Sequence, residues 1–228
     1  MKDIYVYEDT HVLINKLSIK DSRELDKAEL DISLFKTSFL YTNPIKLTSV
    51  FDIKKIHKCL FEQIYDWAGE NRKINIYKEE PILNGLSVEY SYHRNIDADL
   101  TNLDNEFKSV NWKSLGHKEV LDKIVVLIAK LWQIHPFREG NTRSVTLFLY
   151  FFMKQIGMKV DAEFLGKHSK YFRNALVMAS IGQYSEYNYL TDILADTTSF
   201  RSGRENKYKT IRDYEVDKYE YRPHYYKE

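Results

Sequence analysis

The sequence predicts an all-α domain with one small β-hairpin set into it. Three observations carry that expectation. Apolar residues recur at steps of three and four through most of the 228 residues, the spacing that gives a helix one buried face. One stretch near residues 73–90 alternates polar and apolar instead, as a half-buried strand does. Pro44, Gly69, Pro136 and Gly157 fall where the helical periods stop, as expected of residues that end helices.

Each element follows from its own residues. Asp21 and Ser22 can cap a first helix, with Glu24 placed to complete a capping box from Asp21. Leu25, Ala28, Ile32, Phe35 and Phe39 then form its apolar stripe. A second helix reads Ile53, Ile56, Leu60, Ile64 and Trp67, with Gly69 as its C-cap. Lys73 to Tyr77 and Leu86 to Tyr90 read as two short strands joined through the turn signals Glu79-Glu-Pro81 and Asn84-Gly85. Residues 72–91 are therefore expected to be a β-hairpin flap. Helical spacing returns at Ile96, Leu100, Leu103 and Phe107. The next helix, from Val120 to Trp132, is apolar on most sides and so should be the central buried one. It must stop at His135, because a residue before proline is pushed out of the helical region. Another helix starts near Asn141 or Thr142 and runs to Gly157; two more fit Ala162 to Ala179 and Ser185 to Thr197. From Arg201 the chain turns polar and rich in tyrosine. The expected organisation is one domain over residues 1–198 and a docking or flexible tail over 199–228.

Composition narrows the function. With 43% hydrophobic residues the chain can bury a core. Its 34 Lys and Arg nearly cancel 33 Asp and Glu, which leaves no electrostatic footprint for direct nucleic-acid binding. The single cysteine, Cys59, allows no internal disulfide and suits a reducing compartment. No apolar run reaches the roughly 20 residues that span a bilayer, and the first residues lack the apolar core of a signal peptide. A cytoplasmic location without membrane contact is expected. The 18 Tyr and 12 Phe follow no fixed period, so no repeat architecture is expected.

The chemistry concentrates in His135 to Arg143. This loop joins the end of a buried helix to the start of another. The first N–H groups of a helix have no internal partner and carry partial positive charge, and Gly140 lets an anion approach that backbone closely. Arg143, in the first turn, opposes the helix dipole and makes sense beside a bound anion. Glu139 supplies a hard oxygen of the kind Mg²⁺ takes alongside phosphate oxygens. His135 can accept a proton near neutral pH.

These residues resemble the signature of Fic-domain proteins, His-x-Phe-x-Asp/Glu-Gly-Asn-Gly-Arg-x-x-Arg, here His135, Phe137, Glu139, Gly140, Asn141, Thr142, Arg143 and Thr146. Val12 to Leu17, Ile64 to Glu70 with Arg72, and Ile74-Asn-Ile with Leu83 to Tyr90 resemble further parts of the family. The resemblance covers roughly residues 5–195. It implies a helical bundle with a hairpin flap and, as usual activity, transfer of AMP from ATP to a Ser, Thr or Tyr hydroxyl of a protein. By that resemblance His135 is the general base, Glu139 holds Mg²⁺, and Gly140, Asn141, Thr142 and Arg143 bind the phosphates. A target segment adds as a strand to the flap at Ile74, Asn75, Ile76, Lys78 and Leu83. Tyr171, Asn174 and Tyr184 fall where the family holds adenine.

Two positions depart from the family pattern. Thr142 replaces a glycine, and Thr146 replaces the second arginine, which helps order the terminal phosphate in the family. Lys78 is a candidate for the missing charge. The family's inhibitory pattern, Ser/Thr-x-x-x-Glu-Gly/Asn, has no match here; Glu205-Asn206 comes nearest, with Arg201 in the place of the Ser or Thr. Restraint would then fall to a separate antitoxin chain or to the tail. A Doc-like kinase using the γ-phosphate, a Fic fold reduced to a binding or regulatory module, other nucleotides, self-modification and homo-oligomerisation stay open on sequence alone.

Overall fold

The computed structural model describes residues 3–199; all of the expected tail beyond Ser199 lies outside them. Eight α-helices build the described chain: α1 (Ser22–Thr42), α2 (Ile53–Phe61), α3 (Ile96–Ser109), α4 (His117–Ile134), α5 (Asn141–Gln155), α6 (Ala162–Lys167), α7 (Ser169–Met178) and α8 (Asn188–Ser199). None is long and apolar enough to cross a membrane.

Helix α4 is the axis of the fold. It packs against α3, α5, α7 and α8, which is why it is apolar on most sides: Ile124, Ile128, Leu131 and Trp132 are all fully buried. Helix α5 runs back along it, and α2 closes the other side of α5 with α1 beyond. The expected single helix over residues 162–179 is broken at His168 into α6 and α7. The second helix stops at Phe61, short of Trp67, and Gly69 takes its left-handed conformation (φ +86°) in the turns that follow.

Helix α1 corrects its predicted stripe. Asp21 does cap it, its Oδ1 accepting from the Arg23 and Glu24 N–H groups. But Phe35 and Phe39 point outward, 69% and 51% exposed, while Glu29 and Ser33 are buried with Leu25 and Leu40. The inner face of α1 is polar because it meets a charged group of the site, described below.

The flap is the other correction. Residues 72–91 contain no strand; among the described residues the only bridge pairing of this kind is Val6 with Leu13. The chain does fold back on itself, with Glu80 N–H donating to the Leu86 carbonyl and Gly85 N–H to the Glu80 carbonyl around a 3-10 turn at Pro81–Leu83. A ladder does not form because side chains occupy the hydrogen-bonding positions. Ser87 Oγ accepts from the Lys78 N–H, and the Tyr77 hydroxyl donates to the Gly85 carbonyl. Pro81 removes one donor outright.

Candidate active site

The site begins where α4 ends. His135 takes the left-handed conformation (φ +50°) that terminates a helix. This turns its ring back under the last turn, where Nδ1 lies 3.0 Å from the Trp132 carbonyl. A carbonyl only accepts, so Nδ1 carries the proton. Nε2 therefore holds a lone pair, and this buried atom has no hydrogen-bond partner. The Tyr90 ring packs at 4.2 Å and the Trp132 ring at 5.2 Å, centroid to centroid. Burial first, then the Lys78 cation, hold the imidazole well below its ordinary 6.5. The ring is neutral at physiological pH and is fixed in the tautomer that a base needs.

The loop below is locked from several sides. The Asn141 side chain, 2% exposed, accepts from the Phe137 N–H and donates to the Phe137 carbonyl. Asn141 thus staples the loop with both ends of its amide. Gly140 sits at φ +78°, and a Cβ there would come within 2.4 Å of the Phe61 ring. Glycine is needed for both reasons. His57 braces the loop from α2. Gly69 N–H donates to its Nδ1 at 2.8 Å, so Nε2–H must donate to the Glu139 carbonyl at 3.0 Å. Its ring stacks on Phe137 at 3.8 Å. Burial is the main reason its pKa drops to about 3. Arg72, 2% exposed, ties the base of the flap segment to the 135–143 loop. Its Nε donates to the His135 carbonyl, and its other arms to the Ile74 and Ser91 carbonyls.

Charges gather around Glu139. Its Oε2 lies 3.1 Å from Lys78 Nζ, and its Oε1 accepts from the Gly140 N–H at 2.9 Å. Burial alone would raise this carboxyl, but Lys78, the Gly140 N–H and Arg143 outweigh it and hold the group at about 2. Helix α5 starts with no side-chain cap, which leaves its first N–H groups to an anion. Thr142 Oγ1 accepts from the Trp132 indole at 3.0 Å, and Thr146 Oγ1 donates to the Thr142 carbonyl at 2.8 Å. Both hydroxyls are thereby engaged within the α4–α5 pair.

The remaining predicted residues are spread more widely. Ile74 and Leu83 are buried, Ile76 is half-buried, and Asn75 accepts from the His93 N–H. Tyr171 is buried, and burial with Asp192 and Tyr189 nearby pushes its hydroxyl up to about 12. It faces α8. Arg173, two residues along and so on the opposite side of α7, reaches the flap segment and grips the fully buried Glu80 at 2.7 and 3.0 Å. Asn174 and Tyr184 are half-buried. Sequence reasoning did not single out His57, Glu29, Tyr65 or Arg173. A signal for His57 was present: it occupies a core position of α2, in step with Ile53, Ile56, Leu60 and Phe61.

Fold and loop together define a helical domain in which a buried neutral imidazole lies in the loop leading to the uncapped start of a helix. Residues 47–153 match the model of the Fic/DOC family. The chain's relatives include the protein adenylyltransferase VbhT of Bartonella schoenbuchensis, 29% identical over 190 residues that cover 80% of this chain and 36% of VbhT. The match thus spans little more than a third of that relative. The probable protein adenylyltransferase y4lH of Sinorhizobium fredii is 28% identical over 184 residues, 80% of this chain and 90% of its own. Among solved structures, the N-terminal FIC domain of Bep8 from Bartonella sp. 1-1C superposes with a TM-score of 0.72 at 20% identity, covering 91% of this chain and 98% of that one. BepC of Bartonella tribocorum, solved with bound AMPPNP, gives 0.68 at 23% identity, covering 85% and 95%. These likenesses establish the fold.

Proposed function

We propose that this chain transfers AMP from ATP to a Ser, Thr or Tyr hydroxyl of a protein. The observation that carries the reading is the unpartnered Nε2 of His135 beside the uncapped start of α5. Relatives named as protein adenylyltransferases support it.

The residues divide the work as follows. The N–H groups of Asn141, Thr142 and Arg143 hold phosphate oxygens, and the Arg143 guanidinium pairs with them. Glu139, held ionised, is the carboxylate that would share Mg²⁺ with those oxygens. One carboxylate suffices, since Mg²⁺ takes most of its ligands from phosphate and water. The bound cation would neutralise phosphate charge as pyrophosphate leaves. The target hydroxyl attacks the α-phosphorus, the bond from phosphorus to the pyrophosphate oxygen breaks, and Nε2 takes the hydroxyl proton. The Trp132 carbonyl holds Nδ1–H throughout, and it stabilises the imidazolium that forms. Asn75 to Lys78 form the surface on which an extended target segment lies, its backbone bonded to that of the flap, while the buried Ile74 and Leu83 anchor that segment in the core. Lys78, paired with Glu139 here, would be released toward a phosphate oxygen once the carboxylate takes its cation.

Parallel incubations with α-labelled and γ-labelled ATP test this reading. Label from the α-position should appear on protein and vanish in His135→Ala. Label from the γ-position alone would make the chain a kinase. Absence of Mg-ATP binding by calorimetry would leave a binding module.

A further inference from the structure

Helix α1 buries two polar side chains where its periodicity calls for apolar ones, and both reach the same group. Glu29 Oε1 accepts from Arg143 Nη2, and Ser33 Oγ accepts from Nη1 at 3.2 Å. Glu29 is itself held, its Oε2 accepting from the Tyr65 hydroxyl, which comes from the turn after α2. The Phe61 ring lies beneath the guanidinium at 4.7 Å. Arg143 has a competing partner in Glu139, whose Oε1 is 3.9 Å from the same Nη2. Two carboxylates from different helices thus flank one cation.

We propose that Glu29, fixed by Tyr65, is a positioning residue: it holds Arg143 toward α1 and keeps it from closing onto Glu139. The inference rests on phosphates binding at the start of α5, as in the function above. A guanidinium carries five N–H donors; Glu29 and Ser33 engage two, leaving the rest for phosphate oxygens. Without Glu29, the nearest anion is Glu139. Arg143 would join Lys78 on that carboxylate, and the site would lose its free guanidinium and its cation ligand together. Neutralising Arg143 in part is the cost of aiming it. This explains why α1 carries Glu29 and Ser33 inward while Phe35 and Phe39 face out.

Calorimetry with AMPPNP and Mg²⁺ on the full chain separates the readings. Glu29→Gln keeps the shape of the side chain and removes the charge; affinity should fall about tenfold, the scale of one charge-assisted hydrogen bond. The pair Ser33→Ala and Tyr65→Phe leaves every charge in place and should also weaken binding. In an Arg143→Ala background, Glu29→Gln should have no further effect, since it acts through the arginine. Unchanged or tighter binding in Glu29→Gln would overturn the proposal, the latter by making Glu29 a brake. An equal loss in the Arg143→Ala background would overturn it too, by making Glu29 a general packing residue. Transfer of α-label is scored separately. Binding that behaves as stated without transfer sinks the transferase reading and leaves this one standing, whereas no binding by the unmodified chain sinks both.

Discussion

The loop at 135–143 and the segment at 72–91 meet at Glu139, and they are held by different means. The loop is locked by local bonds, His135 to the Trp132 carbonyl and Asn141 to both ends of Phe137, and braced from α2 by His57 on the Glu139 carbonyl. The flap segment has no ladder and hangs on side-chain ties. Arg72 anchors its base, Glu80–Arg173 its middle, and Lys78–Glu139 its contact with the loop. A reacting group and an anion site must be preorganised before substrate arrives, because rearrangement during reaction lowers the rate.

That contrast can be broken at graded cost. His135→Ala should lower transfer by about 10² to 10⁴-fold, the usual worth of a general base. Nucleotide affinity and unfolding midpoint should stay close to the original, since the loop keeps its other ties; initial rates and calorimetry read both. Glu80→Ala strikes the flap instead. It leaves Arg173 without its carboxylate and should cost about 3 kcal/mol in urea unfolding. This lies at the low end for a buried pair because the Arg173 side chain is 36% exposed. A loss under about 1 kcal/mol would mean that the tie does not anchor the flap.

pH sharpens the comparison further. His135 lies well below 6.5, and only its neutral form can act as base. The rate should therefore show no loss from this group as pH falls from 8 through 6.5, and kcat/KM profiles would reveal one if it existed. Stability behaves differently. His57 is held at about 3, below its ordinary 6.5. Its contribution is fully present above about 6.5 and is lost as pH falls toward 3, because the unfolded chain binds the proton first. Urea midpoints at successively lower pH should decline across that window. The smallest effect is expected from Lys78→Met. The pair it breaks is partly exposed, with side chains 25% and 35% accessible, so stability should change by under about 1 kcal/mol. Hydrogen exchange over residues 73–78 should speed up. Loss of the cation should also raise the pKa of Glu139 and of His135.

The same two regions show what the sequence made legible. Helices α4 and α5 could be read because their packing is almost wholly apolar, so periodicity alone marks the buried face. The 135–143 loop stood out because its residue types are chemically unusual at that spacing. Helix α1 misled, since its inner face carries Glu29 and Ser33 for a partner 110 or more residues away, Arg143. Local periodicity cannot see a long-range ion pair. The flap misled for a related reason. Its alternation is real, but Ser87 and Tyr77 spend their side chains on backbone groups that a ladder would use. The break between α6 and α7 at His168 carried no proline, and Gly166 two residues earlier is only a weak signal.

A crystal structure of the chain with Mg²⁺ and a non-hydrolysable ATP analogue tests the central claim most directly. The phosphates should rest on the first N–H groups of α5, beside Arg143 and Glu139, with Nε2 of His135 open toward the α-phosphorus. Phosphates bound anywhere else, or Nε2 of His135 covered by a packed side chain, would contradict it.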